Sequence, residues 1–183
     1  MSSLQYFVAT SLDGFIATSD DNLAWLLQFD GFEGGRESYE SFMADVGCIV
    51  MGGDTYAWLR KHEPDNWPYP STPCWVFTHH EHSAPKGADV TFVRGPVAEF
   101  VDDLRAGAGD KNVWIVGGGV LAAQFADAGA LDEIIISIIP VVLGTGKAVL
   151  PVAGPTAPLK LLSTHTMGRG IVELRYRFEG NPA

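Results

Sequence analysis

The sequence has only two cysteines, Cys48 and Cys74, and both sit in apolar runs of strand length. Such a pair gives no disulfide framework, so the expected setting is a reducing cytoplasm and each thiol reads as a small core residue. Basic residues are also scarce: 12 Lys and Arg stand against 22 Asp and Glu, for a net charge of −10. That balance argues against a nucleic-acid or anionic-membrane partner, and any anionic ligand must be held by local donors. No apolar run approaches the ~18 residues of a spanning helix. The opening residues 1–6 lack the basic region of a secretory leader. No repeat, low-complexity tract or linker breaks the 183 residues, which read as one domain, 1–183, large enough to bury a core unaided. The partner to expect is a small molecule.

Glycine, by contrast, is placed with purpose. From Asn112 to Phe125 an apolar run of strand length meets Gly117, Gly118 and Gly119, then resumes at helical spacing. Glycines let the main chain approach an anion, and the unpaired N–H groups at the start of the helix supply donors at the positive end of its dipole. Gly117, Gly119 and Ala122 fit a G-x-G-x-x-A dinucleotide pattern. That pattern belongs, however, to the first strand–helix unit of its fold, and here it comes late, with Asp132 and Glu133 preceding the next strand. A second unit, Ile49 to Tyr56, repeats the arrangement: strand, Gly52-Gly53, then a helix opened by Asp54 and Thr55. Two such turns on one sheet suit an extended pyrophosphate dinucleotide, the alternative being two glycine turns that only close tight corners.

Between these units strands alternate with helices. Strands are expected at Leu4–Thr10, Cys48–Met51, Cys74–Thr78, Asp89–Val93 and Glu133–Val142, the last with Pro140 near its end. Tyr39, Phe42, Met43 and Val46 mark a helix over Arg36–Val46, and another covers Asp54–Lys61. Val97, Phe100, Val101 and Leu104 form the apolar stripe of a third helix, with Glu99, Asp102 and Asp103 facing water. Residues 160–178 read as a hairpin around Gly168-Arg169-Gly170. In its last arm Val172, Leu174, Tyr176 and Phe178 point one way, while Glu173, Arg175 and Arg177 point to a half-exposed face. The expected fold is α/β: a mostly parallel central sheet flanked by helices and finished by an antiparallel C-terminal hairpin.

The run Val8 to Ala17 with Asp13-Gly14, then Trp25, the Met51-Gly52-Gly53-Asp54-Thr55 unit, the Gly117–Gly119 unit, Leu131-Asp132-Glu133 and Pro140-Val141-Val142-Leu143-Gly144-Thr145-Gly146 follow one another in a familiar order. In that order and spacing the chain resembles the dihydrofolate reductase-like superfamily, in the branch containing the C-terminal reductase domain of riboflavin biosynthesis. The resemblance implies a nicotinamide-dependent oxidoreductase, most like a 5-amino-6-(5-phosphoribosylamino)uracil reductase, using NADPH with NADH as the alternative. It assigns Gly52, Gly53, Asp54 and Thr55 to one phosphate turn, and Gly117, Gly118, Gly119, Val120, Leu121 and Gln124 to the other. Ala9 and Ile16 also fall to the cofactor, and Thr78, His79 and Arg94 lie near the adenosine 2′-phosphate. Gly53 and Val120 stand where dihydrofolate reductases often carry basic residues, which leaves His79, His80, Lys86 or Arg94 to substitute. Riboflavin-type relatives are commonly dimeric. With the apolar strand Ile134–Ile139 and the C-terminal hairpin offering a sheet edge and an apolar face, a homodimer is expected.

Reducing a C=N or C=O carbon requires a proton for the heteroatom, hence a carboxyl group, a Tyr or an ordered water within reach. Asp13, Glu37 and Glu40 are the candidate acids. The helix position where true dihydrofolate reductases hold a carboxylate aligns best with Arg36, so folate is a poor fit. Trp25 reads either as a lid over the nicotinamide or as a core plug. Ser137, polar within an apolar strand, either contacts ligand or bonds back to the main chain. Thr78-His79-His80-Glu81-His82 has zinc-type residues, but neighbours on an extended segment point to opposite sides, so no metal is expected. The runner-up functions are a dihydrofolate reductase and a catalytically silent nucleotide-binding protein.

Overall fold

The computed structural model describes residues 2–179. Its strands and helices follow in the order β1 (Leu4–Ser11), β2 (Phe15–Ala17), α1 (Ala24–Leu27), α2 (Gly35–Ala44), β3 (Val46–Gly52) and α3 (Gly53–His62). Then come β4 (Cys74–Phe77), β5 (Val90–Val93), α4 (Val101–Ala108), β6 (Asn112–Gly117), α5 (Gly119–Asp127), β7 (Glu133–Ile139), β8 (Lys147–Ala148), β9 (Lys160–Thr166) and β10 (Val172–Arg177). Eight strands form one sheet in the order β5-β4-β3-β6-β1-β7-β10-β9. The first six are parallel neighbours, and β10 joins β7 and β9 antiparallel. The expected α/β architecture with its antiparallel C-terminal pair is what the chain adopts.

Strand alternation divides the core into two layers. Leu4, Tyr6, Cys48, Val50, Val113 and Ile115 face α4 and α5 through Leu104, Leu121, Ala122 and Phe125. Ile49, Met51, Val76 and Trp114 face the opposite way, onto Tyr56 of α3 and Phe42 and Met43 of α2. Both faces of the central strands are thus covered, which is why β3 and β6 read as continuous apolar runs. Cys48 and Cys74 are free and buried, and burial pushes both thiols up to about 12.

Several boundaries differ from the sequence reading for identifiable reasons. The helix over residues 36–46 stops at Ala44, because Val46 already pairs with Asn112. The third helix begins as a 3₁₀ turn, Val97–Phe100, and continues as α4, with Glu99, Asp102 and Asp103 exposed. The strand expected to reach Val142 ends at Ile139, since Pro140 has no N–H for the ladder. Of the strand over residues 134–139 and the C-terminal hairpin, expected together to offer a sheet edge, the hairpin does so through β9, where Leu161 is 51% exposed, whereas β7 lies between β1 and β10. On the hairpin's charged face, expected to be half-exposed, Arg177 is exposed and Arg175 partly so, but Glu173 is only 8% exposed. Finally, β2 and β8 form a small antiparallel ribbon that two- and three-residue strands are too short to announce.

Candidate functional site

The two glycine units converge. β3 and β6 are neighbours, and Met51 pairs with Gly117, so both strands deliver their glycines to the same end of the sheet. The N-caps Gly52 (φ −79°, ψ 160°) and Gly118 (φ −81°, ψ 169°) are extended, and neither helix start is capped by a side chain. In α5 the amide of Ala122 donates to Gly118 O (3.2 Å), while the three amides before it point out of the helix end. Thr55 stands between the turns. A Cβ placed on Gly117 would lie 3.4 Å from Thr55 Oγ1, and one on Gly118 would lie 3.9 Å from it, whereas Gly52 has nothing within 4 Å. This is a cradle that a side chain would fill, and its donors suit a pyrophosphate. Asp54 and Val120 are exposed beside it, as is Gln124 one turn further along α5.

Two members of these turns serve packing. A Cβ on Gly119 would meet Ala148 O at 2.3 Å and Val149 O at 2.8 Å, and the Leu121 side chain is in the core, leaving only their main chain for a ligand. Gly53 explains its own departure from the basic residue of dihydrofolate reductases: a Cβ there would lie 2.7 Å from Thr78 Oγ1.

Thr78 follows β4, and its Oγ1 accepts the His80 amide (3.0 Å). Arg94, just beyond β5, donates to His79 O (2.8 Å) and remains exposed. Thr78, His80, Glu81, His82, Phe92 and Arg94 line one open groove of about 340 Å³ beside the α3 turn. His79 contributes its carbonyl, which orients Arg94. His82 packs edge-on to Tyr56 and stacks on Phe92. Among the described residues, no three His, Cys, Asp or Glu side chains are grouped to hold a metal.

On the α2 side of the sheet lies a cavity of about 230 Å³, with Phe7, Ala9, Trp114, Ser137 and Ile139 as floor and Leu26, Phe32, Ser38, Tyr39 and Met167 as walls. Its one ionisable carboxyl is Glu173. Register explains the placement: Ala9 pairs with Ser137, Ser137 with Glu173 and Glu173 with His165, so one cross-strand row runs from the cavity floor to an exposed histidine. Ser38 Oγ donates to Glu173 Oε2 (2.9 Å), as does Ser137 Oγ (3.4 Å). Oε1 has no partner among the described residues. Trp114 Nε1 donates to Phe7 O (3.2 Å), which stiffens the floor, and burial pushes the Tyr39 phenol above its ordinary value.

The structure therefore brings Ala9 and Ser137 to the cavity and, through α2, presents Ser38 and Tyr39 there rather than the acids. Glu37 and Glu40 lie on the exposed face, and Glu40 pairs with Arg36 (2.7 Å). Trp25 packs with Phe29, Ile139 and Ile171 in a third core cluster, while its neighbour Leu26 lines the cavity. Ile16 sits half-buried on β2. Asp13 is a tie rather than part of the lining: it accepts Ser11 Oγ (2.6 Å) and the amides of Leu143 (3.1 Å) and Gly144 (2.7 Å), which hold its carboxyl down at about 2. Its stabilising contribution is complete above ~4 and fades as pH falls toward 2. At neutral pH, Glu37→Gln and Glu40→Gln should each change stability by less than ~0.5 kcal/mol in urea melts. Asp13→Asn should lower it measurably more, and an Asp13→Asn melt matching Glu40→Gln would deny the tie.

Both glycine turns thus lie at one end of the parallel strands, and the cavity with Glu173 opens on the α2 face of the same sheet. Residues 2–173 match the model of the RibD C-terminal domain, and the chain belongs to that family. It is 35% identical over 170 residues to the uncharacterized protein YwjB of Bacillus subtilis (strain 168), with 93% of this chain and 94% of that one aligned. A crystal structure of a protein assigned to riboflavin biosynthesis from Shewanella sp. PV-4 superposes with a TM-score of 0.81 at 27% identity, over 96% of this chain and 98% of that one. The Thermotoga maritima diaminohydroxyphosphoribosylaminopyrimidine deaminase/5-amino-6-(5-phosphoribosylamino)uracil reductase shares the fold (TM-score 0.66, 15% identity). There the match covers 96% of this chain but 56% of the longer one.

Proposed function

We propose that this protein is an NADPH-dependent reductase of the riboflavin type, delivering hydride to a small heterocycle seated in the cavity over Ala9 and Ser137. The observation that carries this reading is the convergence of two uncapped glycine turns on Thr55, on the same sheet as a cavity with one carboxylate. The bound nicotinamide supplies the hydride. The chain does the rest. The turns of Gly52 and Gly118 fix the pyrophosphate by amide donors, and Thr55 adds a hydroxyl between them. Arg94 and Thr78 face the adenosine end, where one exposed guanidinium gives a modest preference for the 2′-phosphate. Phe7, Phe32, Leu26 and Met167 exclude water, and Glu173, oriented by Ser38 and Ser137, presents Oε1 to the substrate as the carboxyl through which a proton reaches its heteroatom. Folate is disfavoured because α2 turns no carboxylate to the cavity.

Titration of nicotinamide fluorescence tests it. Gly118→Val and Gly52→Val should each weaken NADPH binding about 30-fold, the ~2 kcal/mol of an overpacked contact. Gly52 is the cleaner site, because its backbone suits any residue and open space surrounds it, so the variant folds. Wild-type affinity in both variants would remove the dinucleotide from this site.

A further inference from the structure

We infer that the cavity takes an unphosphorylated heterocycle presenting N–H groups to Glu173 and rejects phosphorylated ones, a substrate class that rests on the reductase reading above. Shape is the first reason. A cavity of about 230 Å³, below the ~300 Å³ of pockets for drug-sized ligands, seats a ring system, and any arm the ring carries must leave through its open mouth past the lining and the segment above it.

Charge is the second. The lining is apolar apart from Ser38, Tyr39, Ser137 and Glu173, so a phosphate would sit against carbon or against a carboxylate. The nearby cations are committed elsewhere. Arg175 and Arg177, on the same face of β10 as Glu173, both bond Glu133. Arg36 is paired with Glu40, and Arg169, whose charge meets no carboxylate among the described residues, is held outside the lining by Gln28 O (2.6 Å) and over the Phe29 ring (4.3 Å). His165 is the remaining basic group in the row, and it is exposed outside the lining. The segment that roofs the cavity carries Asp30, Glu33, Glu37 and Glu40 against Arg36 alone, on a chain of net charge −10. A dianion meets repulsion there, whereas an amino-substituted ring finds an acceptor in Glu173 Oε1, the oxygen that Ser38 and Ser137 leave free.

Calorimetry on the protein saturated with NADP⁺ decides the matter, with 5-amino-6-(5-phosphoribosylamino)uracil and its dephosphorylated counterpart as probes. The dephosphorylated compound should bind at least 10-fold more tightly. Glu173→Gln should narrow that ratio at least threefold, and Leu26→Arg, which sets a cation in the wall, should raise affinity for the phosphate ester at least fivefold. Equal or tighter binding of the ester by wild type overturns the inference and leaves the reductase reading standing, as does failure of both probes to bind the NADP⁺ complex. Failure to bind NADP⁺ itself strikes the reductase reading first.

Discussion

Glu173→Gln is expected to lower turnover of the accepted heterocycle by about 100-fold or more while leaving NADPH affinity at its wild-type value. The lower end of general acid contributions, ~10²-fold, sets that figure. Glutamine keeps the volume and can still accept from Ser38 Oγ, so the cavity retains its shape, but an amide has no proton to exchange with the substrate heteroatom. Ser38→Ala should act differently. It removes the hydroxyl that points Oε2, leaves the carboxyl in place and should cost closer to tenfold, with the loss in kcat. Stopped NADPH oxidation with each variant, beside a fluorescence titration of cofactor affinity, separates the two. Undiminished turnover by Glu173→Gln would transfer the proton-donating role to Tyr39 or to water.

Glu173 also marks where reading the sequence runs out. The alternation of residues 172–178 told that two faces exist, but a strand carries no record of which face another element will cover. Here α2 lies over the face with the charges, and Ser38 reaches down to Glu173. Ser137 was the available signal, because a hydroxyl in a buried strand needs a partner, and the register of β7 with β10 supplies it. The glycine units were legible because strand, glycine and helix follow within a few residues, so their geometry is local. Their meeting at Thr55 was not, since it depends on β3 and β6 being neighbours although α3, β4, β5 and α4 lie between them in the chain. On α2 the sequence offered Glu37 and Glu40 as candidate acids, but Phe42 and Met43 turn the apolar face of the helix to the core and leave both carboxylates on the exposed one.

The cavity's charge depends on a second carboxylate, and removing it should give the largest loss of stability. Glu133 is 3% exposed and collects Arg175, Arg177 and Gln5 at its end of the sheet. Arg175 reaches Oε2 through Nε (2.8 Å) and Nη2 (2.6 Å), Arg177 reaches Oε1 (3.2 and 2.8 Å), and Gln5 Nε2 adds a bond to Oε2 (3.0 Å). Burial pushes this carboxyl up, but the hydrogen bonds from Arg177 and Arg175 outweigh it and hold the group below its ordinary value. Glu133→Ala leaves the buried Gln5 amide and two guanidinia without acceptors. Breaking a buried pair typically costs 3–5 kcal/mol, but the arginine side chains are 39% and 52% exposed and rehydrate in part. About 2–3 kcal/mol is therefore expected, or a Tm lower by roughly 5–10 °C in a chain of this size. Because the folded-state pKa is depressed, the stabilisation is present above the unfolded value near ~4.3 and is lost as pH falls through the folded one. The gap between wild type and Glu133→Gln should thus be wide at pH ~7 and shrink in melts at pH ~4. A gap that is absent at neutral pH, or that grows in acid, would contradict the assignment. The freed Arg175 lies two residues from Glu173 on the same strand face, so this substitution should also raise the affinity of the phosphorylated probe. That would tie the stability of the β7–β10 pair to the choice of substrate.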